Sequence, residues 1–599
     1  MPISALAQHP VLQRIGSFLG YTVTPEEVKA GQRTKPANLV YDVDEVPPLF
    51  TTILLSVQHV FVLSVGWIFV VVFVTSTTGS SAQAANIIRI SMIASGIATM
   101  FQALRIGPIG SGYLCPFACG PAYLAASIVV GRSIGLAAVF GFTTLAGLFE
   151  SILSRLVQRL RSLFPPEVTG LVVTMVGIEM ISLGCPRFFG YTGPSEPINP
   201  RALLVGIITL GAMLGPSVWG KGKIRLFPVL LGLVAGFTSS LVLGVLTLGQ
   251  LRVSLSAPLF SLPHREHVAW TFAPAFVLTF LVASLSSMLK SVGDLTLCQK
   301  INNTKWERTD MKPVSGGILA GSLCSFFSGL VGGMGQSTFS SNVGLSIATG
   351  VTSRTVAYPT GVILILLAFF PKLAAVFADM PAPVMGAVLV YVACFMIVGG
   401  FQVITSRMLD TRKTFVVGIP LIIGLSVEIV PQVYAGLPSL IRPIFASALA
   451  PATILVVILN ALFRIGVARR ERTELNIGPD STDAVFRFIE KQGAAWGMRP
   501  ALAVRATSAI DEVINSIRQL PLLSPTVHIA AEYDEFKLTT DIDYVGPAPH
   551  FQESAPSAND VLEPHGDIAL AGFLIHQQAD EVKISSRDGH TSIHLLFEQ

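Results

Sequence analysis

The chain has 599 residues, of which 51% are hydrophobic and 13% are charged, and its mean hydropathy is +0.65. Soluble domains carry about 25% charged residues, so this composition predicts an integral membrane protein in contact with the lipid bilayer. The formal net charge of +4 is small for the length, and no block of basic residues is interleaved with aromatic ones. A nucleic-acid partner is therefore not expected.

The six cysteines lie mostly in apolar stretches and lack the short paired spacings of a zinc site or a redox motif. We interpret them as small apolar packing residues. The apolar stretches also contain no pairing of a nucleophile with a base and no set of metal ligands. We therefore expect no enzymatic activity, no metal and no cofactor.

The N-terminal region, residues 1–47, lacks the succession of basic, apolar and small residues that marks a cleaved signal peptide, and we predict a cytoplasmic segment. Between residues 48 and 466, apolar stretches of roughly 20 residues alternate with short polar breaks, and we count about fourteen predicted crossings. Lysine and arginine are concentrated in the even-numbered connections, which favours cytoplasmic positions for both termini. The uninterrupted crossings are residues 51–74, 87–104, 135–153, 168–183, 203–219, 227–248, 275–297, 314–331, 356–377, 384–404, 415–433 and 445–463.

The third and tenth apolar stretches, residues 113–130 and 336–350, are shorter and interrupted. Glycine and proline are concentrated in residues 110–121, and glycine with hydroxyl and amide side chains in residues 332–344. The two stretches lie seven crossings apart, a pattern typical of transporters built from two inverted seven-segment repeats. We predict short extended segments leading into half-helices, with unpaired main-chain groups and helix N-termini facing a polar cavity. Ordinary kinks that serve helix packing are the alternative.

Two pairs of polar residues lie inside predicted crossings. Gln58 and His59 occupy the middle of the first, where an amide and an imidazole are costly unless they face protein, and a packing role is the alternative. Lys290 and Asp294 in the eighth are four residues apart and share a helix face. We expect them to contact each other, a substrate or a coupling ion, and a purely structural ion pair is the alternative.

Three motifs together resemble the nucleobase-ascorbate transporter family, the uracil, xanthine and urate permeases, across roughly residues 48–466. They are Gln58-His59, Ser291-Val-Gly-Asp294, and Asn342-Val-Gly-Leu-Ser-Ile-Ala-Thr-Gly-Val-Thr-Ser-Arg354. The resemblance implies fourteen segments in two inverted sevens, with a core domain moving against a gate domain. It also implies frequent dimer formation and proton-coupled uptake of a planar base.

Two positions depart from the family pattern. Lys290 stands where the family usually carries a glutamate that holds the base, and Ser341 where it usually has glutamine or glutamate. An ammonium only donates hydrogen bonds, so a urate-like oxopurine or another organic anion becomes as plausible as uracil. Asp294 is the candidate for proton coupling. The expected substrate site comprises Gln58, His59, Phe117, Ala118, Lys290, Ser341 and Asn342.

Residues 467–599 have mixed charge, amphipathic helix patterns and alternating strands, which predict a soluble cytoplasmic α/β domain. The segments 501–515 and 572–597 resemble the histidine-kinase-type and anti-sigma-factor ATP-binding domains. That resemblance makes Asp511 and Asn515 candidates for nucleotide binding. Residues 540–546 and the sparse glycines match the nucleotide-binding loops poorly, so a degenerate, regulatory or dimer-forming domain is the preferred interpretation.

Three functions remain open on the sequence. The leading one is a proton-coupled symporter of a nucleobase-type substrate in the cytoplasmic (inner) membrane, working as a homodimer. The second is a membrane sensor that binds a ligand and signals through the C-terminal domain. The third is a small-anion exchanger on the same general fold.

Overall fold

A computed structural model describes residues 35–598 with short gaps. The gaps are residues 38, 106, 158–162, 192, 194–197, 222–223, 225–226, 265–269, 305, 307–308, 407–408, 439–440, 467, 479–480, 553, 555–565 and 588. Most of the predicted N-terminal segment, up to residue 34, lies outside the described residues. The chain divides into two compact units, Met1–Asn460 and Ala461–Gln599.

The first unit is mostly helical, and its elements fall into two halves that each contain one short strand. The first half comprises α1 (Leu49–Thr77), α2 (Ser81–Ala103), β1 (Phe117–Cys119), α3 (Leu124–Ile134), α4 (Leu136–Leu156), α5 (Pro166–Phe189), α6 (Pro200–Trp219), α7 (Pro228–Val242) and α8 (Leu248–Leu255). The second half comprises α9 (Pro274–Ile301), α10 (Met311–Val331), β2 (Gln336–Thr338), α11 (Ser340–Thr349), α12 (Ala357–Ala368), α13 (Pro371–Ala378), α14 (Ala382–Ile404), α15 (Thr411–Ile429) and α16 (Leu449–Phe463). Short 3-10 turns at Pro121–Tyr123 and Arg354–Val356 lead into α3 and α12.

Eight helices of the described residues are long and apolar enough to cross a membrane: α1, α2, α4, α5, α6, α9, α10 and α14. The helices at Arg354–Ala368 and Pro371–Ala378 would add a ninth crossing if they count as one bent span. Three shorter apolar helices, Pro121–Ile134, Pro228–Val242 and Leu449–Phe463, have 10–17 residues. The structure thus confirms a polytopic helical membrane protein, and the number of fourteen crossings stays a prediction.

The predicted crossing at residues 356–377 is bent instead of straight. Its two helices meet at an angle of 82°. Pro371 is the first residue of α13, where it has no N–H to bond to the preceding turn. Its ring also disfavours the helical conformation for Phe370, which adopts φ −104° and ψ 86°. An apolar run alone therefore could not reveal the bend.

Small residues let several helix pairs approach closely. On α5, a Cβ atom added at Gly170 would lie 2.8 Å from the Gly400 carbonyl oxygen of α14. A Cβ at Gly147 of α4 would lie 2.4 Å from the Phe326 nitrogen of α10, and Gly96 and Gly361 bring α2 and α12 together similarly. Such contacts replace the hydrophobic effect as the source of association between helices in lipid.

The packing contacts between helices define two helix groups. We call α1–α4 with α9–α13 the core group, and α5–α7 with α14 and α15 the gate group. Both strands and the Lys290 helix α9 belong to the core group. The most extensive packing in the gate group joins α5 to α14.

The described residues of the second unit form a five-stranded antiparallel sheet and three helices. Its strands are β3 (Arg469–Asn476), β4 (Thr526–Tyr533), β5 (Lys537–Val545), β6 (Glu581–Arg587) and β7 (His590–Glu598), in the order β3-β4-β5-β7-β6. Its helices are α17 (Ser481–Trp496), α18 (Pro500–Arg518) and α19 (Gly566–Gln578). Alternate residues of β5 and β7 are buried against the helices, which gives this unit its own hydrophobic core.

Candidate substrate site

The two interrupted stretches contain short strands that pair with each other inside the bundle. Strands β1 and β2 are antiparallel, with Phe117 opposite Thr338, and every residue of both strands is buried. The Phe339 N–H also donates to the Pro116 carbonyl at 3.0 Å. The predicted extended segments are present. Part of their main chain, which we expected to be unpaired, is hydrogen-bonded between the two strands and is therefore not available to a ligand.

Glycines allow the two strands and their flanks to approach. The Gly120 N–H donates to the Gly335 carbonyl at 2.9 Å. A Cβ atom at Gly120 would lie 2.8 Å from the Ser337 Cβ, and one at Gly335 would lie 2.7 Å from the Tyr123 ring. A larger residue at either position would push the strands apart, so the glycines of the sequence motifs serve close backbone approach.

Each strand leads into a short helix, as the sequence predicted. The 3-10 turn Pro121–Tyr123 and α3 follow β1, and α11 follows β2 after Phe339. No described side chain caps the N-terminus of α11, whose first turn contains Ser341 and Asn342. The Asn342 N–H donates to the Phe339 carbonyl at 2.9 Å, and the helix dipole gives this end a partial positive charge.

A buried cluster of charged and hydroxyl groups joins α9 to β2. The Lys290 ammonium donates to Asp294 Oδ2 at 2.9 Å and to the Thr338 carbonyl at 2.5 Å. The Thr338 hydroxyl donates to the same Oδ2 at 2.6 Å, and its oxygen lies 3.2 Å from the Ser291 hydroxyl. Lys290 is 4% exposed and Asp294 is 7% exposed. We call these four residues the Lys290 cluster, and its ion pair is the contact expected from the spacing of four residues.

The other predicted polar pair is held by α11. The Asn342 side-chain amide lies 2.9 Å from His59 Nδ1 and donates to the His59 carbonyl at 3.2 Å. If the amide donates to Nδ1, the ring hydrogen is on Nε2. Both residues are buried, and the contact joins α1 to α11. Asn342 and Thr338 are four residues apart, so the segment that links them also links this pair to the Lys290 cluster.

Two amide oxygens of the predicted site residues are buried and have no hydrogen-bonding partner among the described residues. They are Gln58 Oε1 and Asn342 Oδ1. Buried acceptors are rarely left unsatisfied in proteins, so each such atom calls for an explanation. A bound molecule with N–H groups could satisfy both oxygens.

The remaining predicted site residues have different surroundings. The Phe117 side chain packs with Ala98 and Cys324, and a Cβ at Gly321 would lie 2.4 Å from its ring. Its N–H donates to the Thr99 hydroxyl at 3.0 Å. Ala118 is buried against Gly66, and Ser341 is exposed on the first turn of α11. The ring of Phe117 therefore contributes packing around β1.

Sequence reasoning missed Thr338, which bonds both members of the ion pair. The signal available in the sequence was the hydroxyl-rich run Gln336-Ser-Thr-Phe-Ser-Ser341 next to an expected buried charge. It also missed Glu150 and Glu179, two buried carboxyl groups within apolar helices. Both could have been flagged as ionisable residues inside predicted crossings.

In the second unit, Asp511 and Asn515 lie on one face of α18 and bond to each other. Asn515 donates to Asp511 Oδ2 at 3.3 Å, and the Thr482 hydroxyl donates to Oδ1 at 2.7 Å. Burial raises the pKa of the adjacent Glu512, with a further contribution from the Asp511 charge. A separate cavity of about 240 Å³ is lined by β5, β6 and β7 and includes neither Asp511 nor Asn515. Residues 540–545 lie within β5, so the segment compared with a nucleotide-binding loop is mostly strand.

Comparison of the sequence with known proteins identifies related permeases. The sequence profile of the Permease family of xanthine and uracil permeases matches residues 50–433. A protein of Clostridium perfringens named as a purine permease is 30% identical over 437 residues, which are 73% of this chain and 95% of that protein. The xanthine permease XanQ of Escherichia coli is 26% identical over 462 residues, 75% of this chain and 97% of the relative. Among solved structures, the murine Solute Carrier 26 family member A9 anion transporter has a TM-score of 0.49 and 11% identity, and the match covers 78% of this chain and 77% of that one.

The profile covers well over half of the chain, and the purine permease is matched over nearly its whole length. The profile match includes both interrupted stretches, α9 and the residues of the Lys290 cluster. The chain therefore belongs to the Permease family of xanthine and uracil permeases, the nucleobase-ascorbate transporter family, and is a multi-pass membrane transporter and not an enzyme.

Proposed function

We propose that this permease is a secondary active transporter that carries a nucleobase-type substrate, such as xanthine, uracil or a urate-like oxopurine, by proton-coupled symport. The names of its relatives, purine permease and xanthine permease, support this substrate class. The observation that carries the proposal is the Lys290 cluster, buried where α9 meets β2. The residues proposed to contact the substrate are Gln58, His59, Lys290, Ser341 and Asn342. Phe117 and Ala118 are proposed to support the site as packing residues of β1.

The donors and acceptors of this region match an oxopurine. The Lys290 ammonium can donate to a ring carbonyl or to an anionic ring. The two unpartnered amide oxygens, on Gln58 and Asn342, can accept from ring N–H groups. Uracil has two ring carbonyls and two N–H groups. Xanthine adds a third N–H and an imidazole nitrogen acceptor, and uric acid has three carbonyls and four N–H groups, so we expect an oxopurine to bind more tightly.

Proton coupling is proposed to pass through Asp294. With its carboxylate ionised, Asp294 holds the ammonium of Lys290 in an ion pair. Protonation of Asp294 removes that attraction and frees the ammonium to donate to the substrate. Proton binding and substrate binding then favour each other, so acidification of the side from which substrate enters should promote uptake.

Uptake into proteoliposomes tests the proposal. The purified full chain is reconstituted, and the accumulation of radiolabelled xanthine, urate and uracil is measured with the outside more acidic than the lumen. We expect accumulation that disappears when a protonophore collapses the gradient. Asp294→Asn should abolish gradient-driven accumulation, whereas Asp379→Asn, a matched change at the end of α13, should leave it intact.

Other outcomes would identify the alternative functions. Binding of xanthine without accumulation would favour the sensor, which the separately folded C-terminal unit makes a specific candidate. Accumulation that requires a counter-anion inside the vesicle and ignores the proton gradient would favour the anion exchanger.

The setting of the transporter is also proposed. We propose a homodimer in the cytoplasmic membrane. We also propose that both termini lie in the cytoplasm, because basic residues are concentrated in the even-numbered connections. The C-terminal unit is proposed to be regulatory or dimer-forming. Reporter fusions at residues 47 and 599 would test the orientation, since an alkaline phosphatase fused at either position should be inactive.

A further inference from the structure

Glu179 lies in the middle of the gate helix α5, far from the Lys290 cluster in sequence. It is 2% exposed, and neither carboxyl oxygen has a hydrogen bond of normal geometry with a described residue. The Ser447 hydroxyl lies close enough for a weak hydrogen bond to the carboxyl group. An ionised carboxylate buried without a partner would cost several kcal/mol, so this environment favours the neutral acid.

A small cavity in front of Glu179 lies between the two helix groups. Its core-group wall comes from α3 and α9, including Ala125, Thr279 and Val282, and Ser447 closes it just before α16. The cavity volume is about 10 Å³, which is close to the space that one water molecule needs. The Thr279 hydroxyl also lacks a hydrogen-bonding partner among the described residues. Glu179 from the gate group and the Thr279 hydroxyl from the core group thus line the same small space.

The described residues around the cavity do not include a compensating cation. Those that line it from α3, α9 and the segment 447–450 are uncharged, and Glu179 itself is the ionisable group. The nearby charged group is Glu428 of α15, which has the same sign and accepts from the Ser182 hydroxyl at 2.5 Å. Lys290 and Asp294 lie further along α9 and are paired with each other.

A proton fits this site better than a metal ion. Hard cations take six or more oxygen ligands in proteins, and the described lining offers the side-chain oxygens of Glu179, Thr279 and Ser447 among alanine, valine and leucine side chains. A neutral carboxyl group also has an O–H to donate to a hydroxyl or to one water.

We propose that Glu179 is a second proton-binding site of the transporter, protonated while the cavity between the core and gate groups is closed and deprotonated when that interface opens to water. Closure removes Glu179 from solvent and opening hydrates it, so the occupancy of the proton depends on the relative position of the two groups. This inference rests on the proposed proton coupling, to which it adds a site in the gate group.

Infrared spectroscopy of the full chain in lipid nanodiscs tests protonation without requiring transport. The C=O stretch of a protonated carboxyl group is compared between wild type and Glu179→Gln at neutral pH. We expect a band that Glu179→Gln removes and that Asp294→Asn retains. Glu150→Gln serves as the matched control, because Glu150 is an equally buried carboxyl group that has a partner, the Tyr123 hydroxyl, at 3.1 Å.

The absence of a band attributable to Glu179 would overturn the proposal, as would a band that disappears when choline chloride is replaced by sodium chloride. If Glu179→Gln does not fold, loss of the whole carboxyl band in Glu150→Gln would overturn the proposal, because a protonated Glu179 should keep its band in that variant. Failure of proton-driven uptake in the wild type would overturn the proposed symport. The spectroscopic result would still show whether Glu179 is protonated.

A transport assay then distinguishes a role of Glu179 in proton coupling from a purely structural role. In proteoliposomes, Glu179→Gln should retain xanthine–xanthine exchange but lose gradient-driven uptake by about tenfold, within the usual range of coupling energies. Equal loss of exchange and net uptake would overturn a coupling role.

Discussion

The two broken crossings share a shape but differ in chemistry. In the third, Phe117 and Ala118 pack their side chains against other helices, so this crossing contributes mainly backbone and volume. In the tenth, Thr338 and Asn342 bond to charged and polar groups on α9 and α1. Of two broken helices that pair with each other, one thus supplies packing and the other supplies the polar contacts, and we propose that the second is the one that recognises the substrate.

The largest effect on stability is expected from breaking the buried ion pair next to the tenth crossing. Asp294→Ala leaves the Lys290 ammonium without its anionic partner, which should lower the free energy of unfolding by about 3–5 kcal/mol. Chemical denaturation in detergent measures the change. The double variant Lys290→Met/Asp294→Ala should recover most of the loss, and a single variant as stable as the wild type would contradict the buried ion pair.

A smaller, purely structural effect is expected in the third crossing. Phe117→Leu loosens the packing against Gly321 and should lower the free energy of unfolding by about 1–2 kcal/mol. The order of affinities for xanthine, urate and uracil should not change. Phe415→Leu, at an exposed position of α15, is the control and should be nearly neutral. A changed ligand order in Phe117→Leu would show that the third crossing takes part in recognition.

The tenth crossing should respond differently to the loss of one amide. Asn342→Ala removes the bonds to His59 and an acceptor, so affinity for xanthine should fall by about 1–1.5 kcal/mol, or roughly tenfold. Equilibrium binding to the purified chain measures this. Ser340→Ala on the same turn of α11 should bind normally, and equal losses in both variants would indicate a disturbed helix instead of a lost contact.

The smallest effect is expected in the C-terminal unit. Asn515 already donates to Asp511, and the cavity of this unit lies elsewhere. Magnesium-ATP should therefore not raise the unfolding temperature of the full chain, and Asn515→Ala should change stability by less than about 0.5 kcal/mol. A stabilisation by magnesium-ATP that Asn515→Ala removes would restore nucleotide binding as a role.

Local spacing predicted part of the site. The breaks at residues 113–130 and 336–350 were visible from glycine, proline and polar residues, and the contact of Lys290 with Asp294 follows from one turn of helix. The Asn342–His59 contact joins residues 283 positions apart, and no local pattern predicts such a pair. The strand pairing and the role of Thr338 depend on the same long-range packing.

The apolar character of the chain predicted the membrane class of the fold but not its geometry. A run of apolar residues does not show where a helix bends. The bend before Pro371 could be predicted only from the proline and its effect on the preceding residue. Short helices such as α7 and α16 also fall below the length expected for a full crossing, which is why a count from apolar runs exceeds the number of long helices.

The central claim is that Lys290 and the tenth crossing form the substrate site, and ligand preference in Lys290→Glu tests it most directly. Binding of xanthine, urate and uracil is measured on purified wild type and variant, with Lys372→Glu on α13 as the control. We expect Lys290→Glu to lose urate and to shift the order of affinities toward uracil, because a carboxylate accepts from ring N–H groups where the ammonium donated. An unchanged order of affinities in Lys290→Glu would show that Lys290 does not contact the substrate.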